Sequence, residues 1–395
     1  MSDSLTGNWN YPTRILHGPG RIKELVQACR TLGIDRPLFV TDKGLLPSPI
    51  AQAALEDLRR QGIETAAFCD IKPNPVGANI DNGVSAYRQG GHDGVIAFGG
   101  GSALDAGKAI AFMSGQTRPI WDFEDIADWW TRADPDGIAP IVAVPTTAGT
   151  GSEVGRAAVV LNEDLHEKKI IFHPKMLPAI VLSDPELTVK LPAHITAATG
   201  MDAFTHCFEA FCAPGFHPMA DGIALEGMRL IVEHLPRAVE DGGNILARSR
   251  MLTAASMGAA AFQKGLGAVH AISHPVGALY DTHHGLTNAV VLPYVMMHNR
   301  PAIEGKMGHL AAVLAHSHPG FDSVMAQVLY LRDRIGIPHT LAEIGVDARR
   351  AAEIGRFAEA DPSAGGNPIA VTASVLEGIF RAAVSGRIED AAQLH

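Results

Sequence analysis

The 395-residue chain is poor in cysteine, in charge and in aromatic side chains. Its four cysteines, Cys29, Cys69, Cys207 and Cys212, form no CxxC pair. So few thiols in so long a chain argue against a disulfide framework and for a reducing compartment. No stretch reaches the roughly 18 consecutive apolar residues that a membrane span needs. There is no basic run either: 32 Lys and Arg stand against 42 Asp and Glu, a net charge of −10, so no nucleic-acid footprint is present. The opening MSDSLTGNWNYPTRIL lacks the basic-then-apolar pattern of a secretory leader, and a cytoplasmic protein is expected. What remains is a chain with 47% apolar and 19% charged residues, able to bury a large core in two domains of ordinary size.

The first half alternates short β-rich runs with helical patterns. PLFVTD (37–42), IETAAFCD (63–70), GVIAFG (94–99) and APIVAVP (139–145) read as strands. AQAALEDLRRQG (51–62), residues 79–89 and the run from Ser102 to Met113 read as helices between them. Such alternation predicts a parallel sheet with helices on both faces. β-rich segments return at 157–161, 169–172 and 180–185. After LTVKLP the strand signals fade. Amphipathic stretches then run at 193–213, 218–239, 244–263, 266–280, 285–298, 302–315 and 321–335, with SAGGNPIAV (363–371) as a loop. The expectation is an α/β dinucleotide-binding domain over 1–192 and an all-helical domain over 193–395.

GGGSALDAGKA (99–109) follows a strand and opens a helix. Glycines let a backbone approach a ligand closely, and free N–H groups at a helix start attract an anion, so the run suits a pyrophosphate. A tight strand-to-helix corner would use the same glycines. Asp42 ends the strand PLFVTD, where an acidic side chain can accept from ribose hydroxyls and repel a 2′-phosphate, favouring NAD over NADP. A turn or helix-capping aspartate is the plainer alternative. PTTAGTGSE (145–153) follows another strand and supplies hydroxyl donors at the same edge of the sheet.

The second half carries the stronger signal. Asp202 and His206 lie four apart in TGMDAFTHCFEAF, His270 and His274 repeat the spacing, and His284 follows ten residues later. An i, i+4 pair shares one helix face, so two such pairs can converge on one ion. A carboxylate and three imidazoles, Asp202, His206, His270 and His284, suit Fe²⁺ or Zn²⁺ rather than Ca²⁺ or Mg²⁺. A lone histidine in a chain with 18 of them is more often a satisfied core residue. Here, however, the carboxylate sits among Met201, Phe204, Cys207 and Phe208, and a buried carboxylate is costly unless paired or bound to an ion.

Taken together, FVTD (39–42), the PNP turn at 73–75, GGGSALD, PTTAGTGSE, TGMDAFTHCFEA, GLGAVHAISHPVGA and HHGLTNAVVLP resemble, in this order, the iron-containing (group III) alcohol dehydrogenases of the dehydroquinate synthase-like fold. The resemblance implies an N-terminal α/β domain carrying NAD(P), a C-terminal helical domain carrying the metal, and an active site in the cleft between them. It implies Asp202, His206, His270 and His284 as ligands, with Fe²⁺ ahead of Zn²⁺. It makes His274 a proton-relaying catalytic residue near the nicotinamide. It places Gly100, Gly101, Ser102 and Asp105 along the pyrophosphate and nicotinamide ribose, and Thr146, Thr147 and Thr150 along the cofactor. Asn74 would lie on the adenosine side, Lys168 would reach the cofactor, and Asp42 would confer NAD preference. A homodimer or larger homo-oligomer is implied as well. Two departures stand out: His283 precedes His284 where relatives carry other residues, and no Arg follows GGNP (365–368).

The expected reaction is the interconversion of a small primary alcohol and its aldehyde by hydride transfer to NAD, with no nucleic-acid or membrane partner. Metal- and NAD-dependent lyases of the dehydroquinate synthase type share the architecture. They need basic residues to grip an acidic substrate, and the segments around the metal residues are poor in Lys and Arg. Maleylacetate reductase-like enzymes characteristically lose the metal residues, and all four are present. A regulatory metal- or nucleotide-binding protein would need an effector surface, for which no motif is evident.

Overall fold

The computed structural model describes residues 13–165, 167–318 and 320–394. The chain divides into two compact units at Lys190 and Leu191.

The first unit is built on a six-stranded parallel sheet: β1 (Arg14–His17), β2 (Pro37–Val40), β3 (Ala66–Phe68), β4 (Gly94–Gly99), β5 (Ile141–Pro145) and β8 (Ile180–Ser183). Their spatial order is β1-β8-β5-β4-β2-β3. The helices α1 (Leu25–Thr31), α2 (Pro49–Arg60), α3 (Gly77–Gly90) and α4 (Gly101–Met113) connect them. Alternation along the strands explains why both faces are covered. Leu38, Val40, Val95, Ala97, Ile141, Ala143 and Val181 belong to one apolar core, with Ile80, Val84 and Ile110 from α3 and α4. Phe39, Ile96, Phe98, Val142, Val144, Ile180 and Leu182 belong to the other, with Val26, Ala51 and Leu58 from α1 and α2.

The sequence pattern predicts no strand over Arg14–His17. This segment forms the edge strand paired with β8, too short and too exposed to show a buried strand's apolar run. The β-rich segments at 157–161 and 169–172 form a separate antiparallel hairpin, β6 (Ala157–Asn162) and β7 (Glu167–Phe172), outside the parallel sheet.

The second unit is helical: α5 (Ala193–Cys212), α6 (Pro218–Glu240), α7 (Ile245–Ala261), α8 (Ala268–Tyr280), α9 (His284–Val313), α10 (Phe321–Arg334), α11 (Ala351–Ala360) and α12 (Ala373–Ser385). The two helices expected at 285–298 and 302–315 are one, α9, with Pro293 and Pro301 inside it. Proline removes a helical donor. Here α9 packs against α5, α8, α10 and α12, and Asn299, two residues before Pro301, is buried in amide bonds with Asn367. Tertiary packing therefore carries the helix through the break. Among the described residues no helix is long and apolar enough to cross a membrane.

Candidate metal centre and cofactor edge

α5 presents Asp202, His206 and Glu209 at i, i+4 and i+7, on one face and buried. α8 presents His270 and His274, and His284 is the first residue of α9. The turn between α8 and α9 is closed by Asp281 in the left-handed region, φ 53°, whose N–H donates to the Gly277 carbonyl. His283 caps α9, its Nδ1 accepting the Leu286 N–H at 3.3 Å.

These elements bring all four expected ligands together. Donor atoms of Asp202, His206 and His270 lie within 4.8 Å of one another. His206 Nε2 is 3.9 Å, and His284 Nε2 3.7 Å, from Asp202 Oδ1. A tetrahedral cation at about 2.0–2.2 Å from each donor needs them roughly 3.3–3.6 Å apart, so those two pairs need close by only a few tenths of an ångström. The rings are held by stacking: His206 on His270 at 4.8 Å between centroids, His274 on His284 at 5.3 Å, and the edge of Phe262 against His206 at 5.1 Å.

Around the donors lies a shell of polar groups absent from the expected site. Glu209 accepts the Val269 N–H at 2.7 Å and the His270 Nδ1–H at 2.5 Å. Asn288, fully buried, places Nδ2 2.8 Å from Asp202 Oδ1, 3.2 Å from His270 Nε2 and 3.1 Å from His284 Nε2. The amide has two hydrogens for these three neighbours, so with one on Asp202 Oδ1 the other serves one of the two imidazole nitrogens. Asp361 accepts the His274 Nδ1–H at 2.7 Å. Asn367, from the GGNP segment, accepts the Ala268 N–H at the start of α8. Burial opposes charge on His270, but Glu209, then Asp202 and Asp361, outweigh it and raise its pKa. Burial likewise pushes the Asp361 carboxyl up, and His274 more than offsets this, holding it below the ordinary range. Glu209 and Asn288 lie at helical spacing from Asp202 and His284; Asp361 and Asn367 lie 87 and 99 residues from their partners in α8.

In the α/β unit the expected cofactor residues gather at the carboxyl edge of the sheet. β2 is flanked by β3 on one side and β4 on the other, so the strand order reverses between β2 and β4, where open α/β sheets bind ligands. Asp42 follows β2 and accepts the Leu45 N–H at 2.8 Å. Gly100 caps α4 with no side-chain hydrogen bond to its first turn, leaving those N–H groups open to an anion. A Cβ on Gly101 would stand 2.8 Å from Thr150 Oγ1, and one on Gly100 3.2 Å from Thr147, so glycine is what lets the two loops meet. Thr146 is buried and donates its N–H to the Gly99 carbonyl. Ser102 donates its hydroxyl to the Pro73 carbonyl, next to Asn74. Lys168 lies on β7, paired with Leu161. Asp105 turns inward: it accepts from Ser152 Oγ at 2.5 Å and Val159 N at 3.0 Å, and pairs with Lys108 at 3.2 Å.

Both units match one family. Residues 12–185 match the model "Iron-containing alcohol dehydrogenase", and residues 196–384 match "Fe-containing alcohol dehydrogenase family, C-terminal". This chain belongs to the iron-containing alcohol dehydrogenases. It is similar to the 4-hydroxybutyrate dehydrogenase of Cupriavidus necator, 41% identical over 347 residues, 85% of this chain and 89% of that one. A solved 1,3-propanediol oxidoreductase superposes with a TM-score of 0.91 at 35% identity, covering 96% of this chain and 100% of that one. The sulfoacetaldehyde reductase of Bifidobacterium kashiwanohense, solved with NAD⁺, superposes with a TM-score of 0.87 at 29% identity, covering 97% and 100%. The protein is thus an oxidoreductase of this family, a metal-dependent, NAD-linked enzyme that interconverts a small primary alcohol and its aldehyde. The lyase alternative is not favoured.

Proposed function

We propose that the chain oxidises, or in reverse forms, a short primary alcohol bearing a second polar group at its far end, such as 4-hydroxybutyrate or 1,3-propanediol, with NAD(H). The clustering of Asp202, His206 and His270 donor atoms within 4.8 Å of one another, with His284 Nε2 3.7 Å from Asp202 Oδ1, carries this reading. Those four residues would hold Fe²⁺, with Zn²⁺ the alternative; the donor set accepts both. When bound, the cation would supply a Lewis acid that lowers the pKa of the alcohol hydroxyl, and the nicotinamide would supply the hydride acceptor.

The residues of the chain do the rest. Asp202 would contribute the single negative charge among the ligands, and three uncharged imidazoles would leave a divalent cation with net positive charge and so electrophilic. His274, its Nδ1–H fixed on Asp361, presents the Nε2 lone pair and takes the hydroxyl proton as general base. Gly100, Gly101, Ser102, Thr146, Thr147 and Thr150 form the edge for the pyrophosphate and nicotinamide ribose, with Asn74 and Lys168 at its margins. Asp42, at the switch point, accepts from the adenosine ribose and repels a 2′-phosphate, which supports NAD over NADP. Asp105 supports that edge from within.

The relatives named for 4-hydroxybutyrate and 1,3-propanediol support the choice of substrate. Four free cysteines suit the reducing cytoplasm, and exposed Phe216, Met219, Leu246 and Tyr330 offer apolar area to a second copy in a homodimer or larger assembly. The test is NADH formation from 4-hydroxybutyrate, 1,3-propanediol, 1-butanol and methanol by protein loaded with Fe²⁺ or Zn²⁺. The two bifunctional substrates should give the highest kcat/KM. His274→Ala should slow turnover while metal stays bound. Equal activity on 1-butanol would sink the substrate assignment.

A further inference from the structure

The Glu209 carboxylate joins two parts of the helical unit in one contact. Oε2 accepts the His270 Nδ1–H at 2.5 Å, and Oε1 accepts the Val269 N–H at 2.7 Å, within the first turn of α8. α8 has no side-chain cap from its own N-cap residue, Gly267, and a Cβ at Gly267 would stand 3.0 Å from Glu209 Oε1. The start of α8 is thus shaped around this carboxylate, which is itself buried. A carboxylate only accepts, so the hydrogen of His270 lies on Nδ1. From the other side of the ring, Asn288 Nδ2 stands 3.2 Å from Nε2 and would clash with a hydrogen there. The carboxylate contact thus sets the tautomer, and the Asn288 amide can donate to the lone pair left on Nε2.

We propose that Glu209 is a positioning residue that selects the metal-binding form of His270. It keeps the proton on Nδ1 and the lone pair on Nε2, and its negative charge makes that lone pair more basic. This rests on the metal reading above but assigns the role to a residue outside the ligand set.

The chemistry separates this role from a purely structural one. In Glu209→Gln one end of the side chain must become an NH₂ group. If the amide oxygen stays on Val269 N–H, the NH₂ faces His270 Nδ1 and drives its proton to Nε2, against the cation. If the amide turns over, NH₂ meets the Val269 N–H donor to donor. Glu209→Ala leaves Nδ1–H free to find water. Full-length apoprotein of the wild type and both variants would be titrated with Zn²⁺ against a chromophoric chelator. The visible spectrum with Co²⁺ reports the ligand geometry, and NADH fluorescence reports the other unit. We expect Glu209→Gln to lose about 10–100-fold in Zn²⁺ affinity, the usual cost of removing an outer-shell partner. That loss should equal or exceed the loss in Glu209→Ala, even though Gln is the milder change for the fold, and NADH binding should be unchanged. Zn²⁺ affinity and a Co²⁺ spectrum in Glu209→Gln that match the wild type overturn the proposal. A wild type that binds neither ion overturns the metal reading and this inference with it.

Discussion

Gly285 lies so close to Asp202 that a methyl group on its Cα would stand 2.9 Å from the Asp202 Cβ and 2.5 Å from the Ala198 carbonyl oxygen. The first turn of α9 is therefore pressed onto α5, which brings His284 within 3.7 Å of Asp202. Gly285→Ala forces the two helices apart. Overpacking of this kind costs about 1–3 kcal/mol. It also moves one ligand relative to the other three, so the variant should lose most of the rise in Tm that Zn²⁺ gives the wild type. Calorimetric scans with and without Zn²⁺ read both effects. An undiminished rise would mean that the start of α9 adjusts freely.

Asn288 poses a question of sign. Its amide bonds Asp202 and also faces Nε2 of His270 and of His284, so it could aim the donors or compete with the cation for them. The carboxylate contact is the shortest of the three and is compatible with a bound cation, because an ionised carboxylate has further lone pairs. Asn288→Ala should therefore weaken Zn²⁺ binding, by about tenfold or more. Chelator competition measures it. Tighter binding in the variant would identify the amide as a competitor.

Asp105 and Lys108 form a pair in which the lysine side chain is 1% exposed. Burial lowers the Lys108 pKa, and the Asp105 charge works against that. Removing the carboxylate leaves the ammonium only the Ala157 carbonyl and the charge of buried Glu153, and the cost has as its ceiling the roughly 3–5 kcal/mol of a broken buried pair. Asp105→Ala should lower the urea midpoint of the α/β unit sharply, and Asp105→Asn, which still accepts from Ser152 or Val159, less so. A variant with intact stability but no NADH affinity would show instead that this carboxylate faces the cofactor.

The same contrast shows what the sequence could disclose. Periods of two and of 3.6 residues come from local geometry, so β4, α4 and the faces of α5 and α8 were legible at the scale of ten residues. The candidate metal residues were legible because His206 repeats one helical interval from Asp202, as His274 does from His270. Glu209 lay on that interval too, yet a glutamate in an apolar helix carries no label until its partner is known. Asp361 and Asn367 could not be read, because their roles depend on a segment about 90 residues beyond α8 folding back onto it. The inward turn of Asp105 depends on the hairpin of β6 and β7, whose Val159 N–H supplies one of its bonds.

Lys306 makes a pH-dependent contribution that can be worked out in sign. It donates to the Phe211 and Ala213 carbonyls at the end of α5 and lies 5.2 Å from the Phe211 ring centroid. Burial, and then the neighbouring Lys264 ammonium, push its pKa down to about 8. An unfolded lysine titrates near 10.4. Below both values the two states carry the same charge, and the folded state bears the full cost of a half-buried ammonium. Between about 8 and 10.4 the folded chain has released a proton that the unfolded chain still binds, so stability rises with pH across that window. The slope stays below the ceiling of about 1.4 kcal/mol per pH unit, because the group is partly screened by solvent. Lys306→Met lacks this gain. Urea unfolding of both proteins at pH 7.5 and 9.5 should therefore show the difference, wild type minus variant, moving in favour of the wild type at the higher pH. A difference that stays level would mean that Lys306 keeps its charge throughout and that the Phe211 and Ala213 carbonyls, with the Phe211 ring, compensate for its burial.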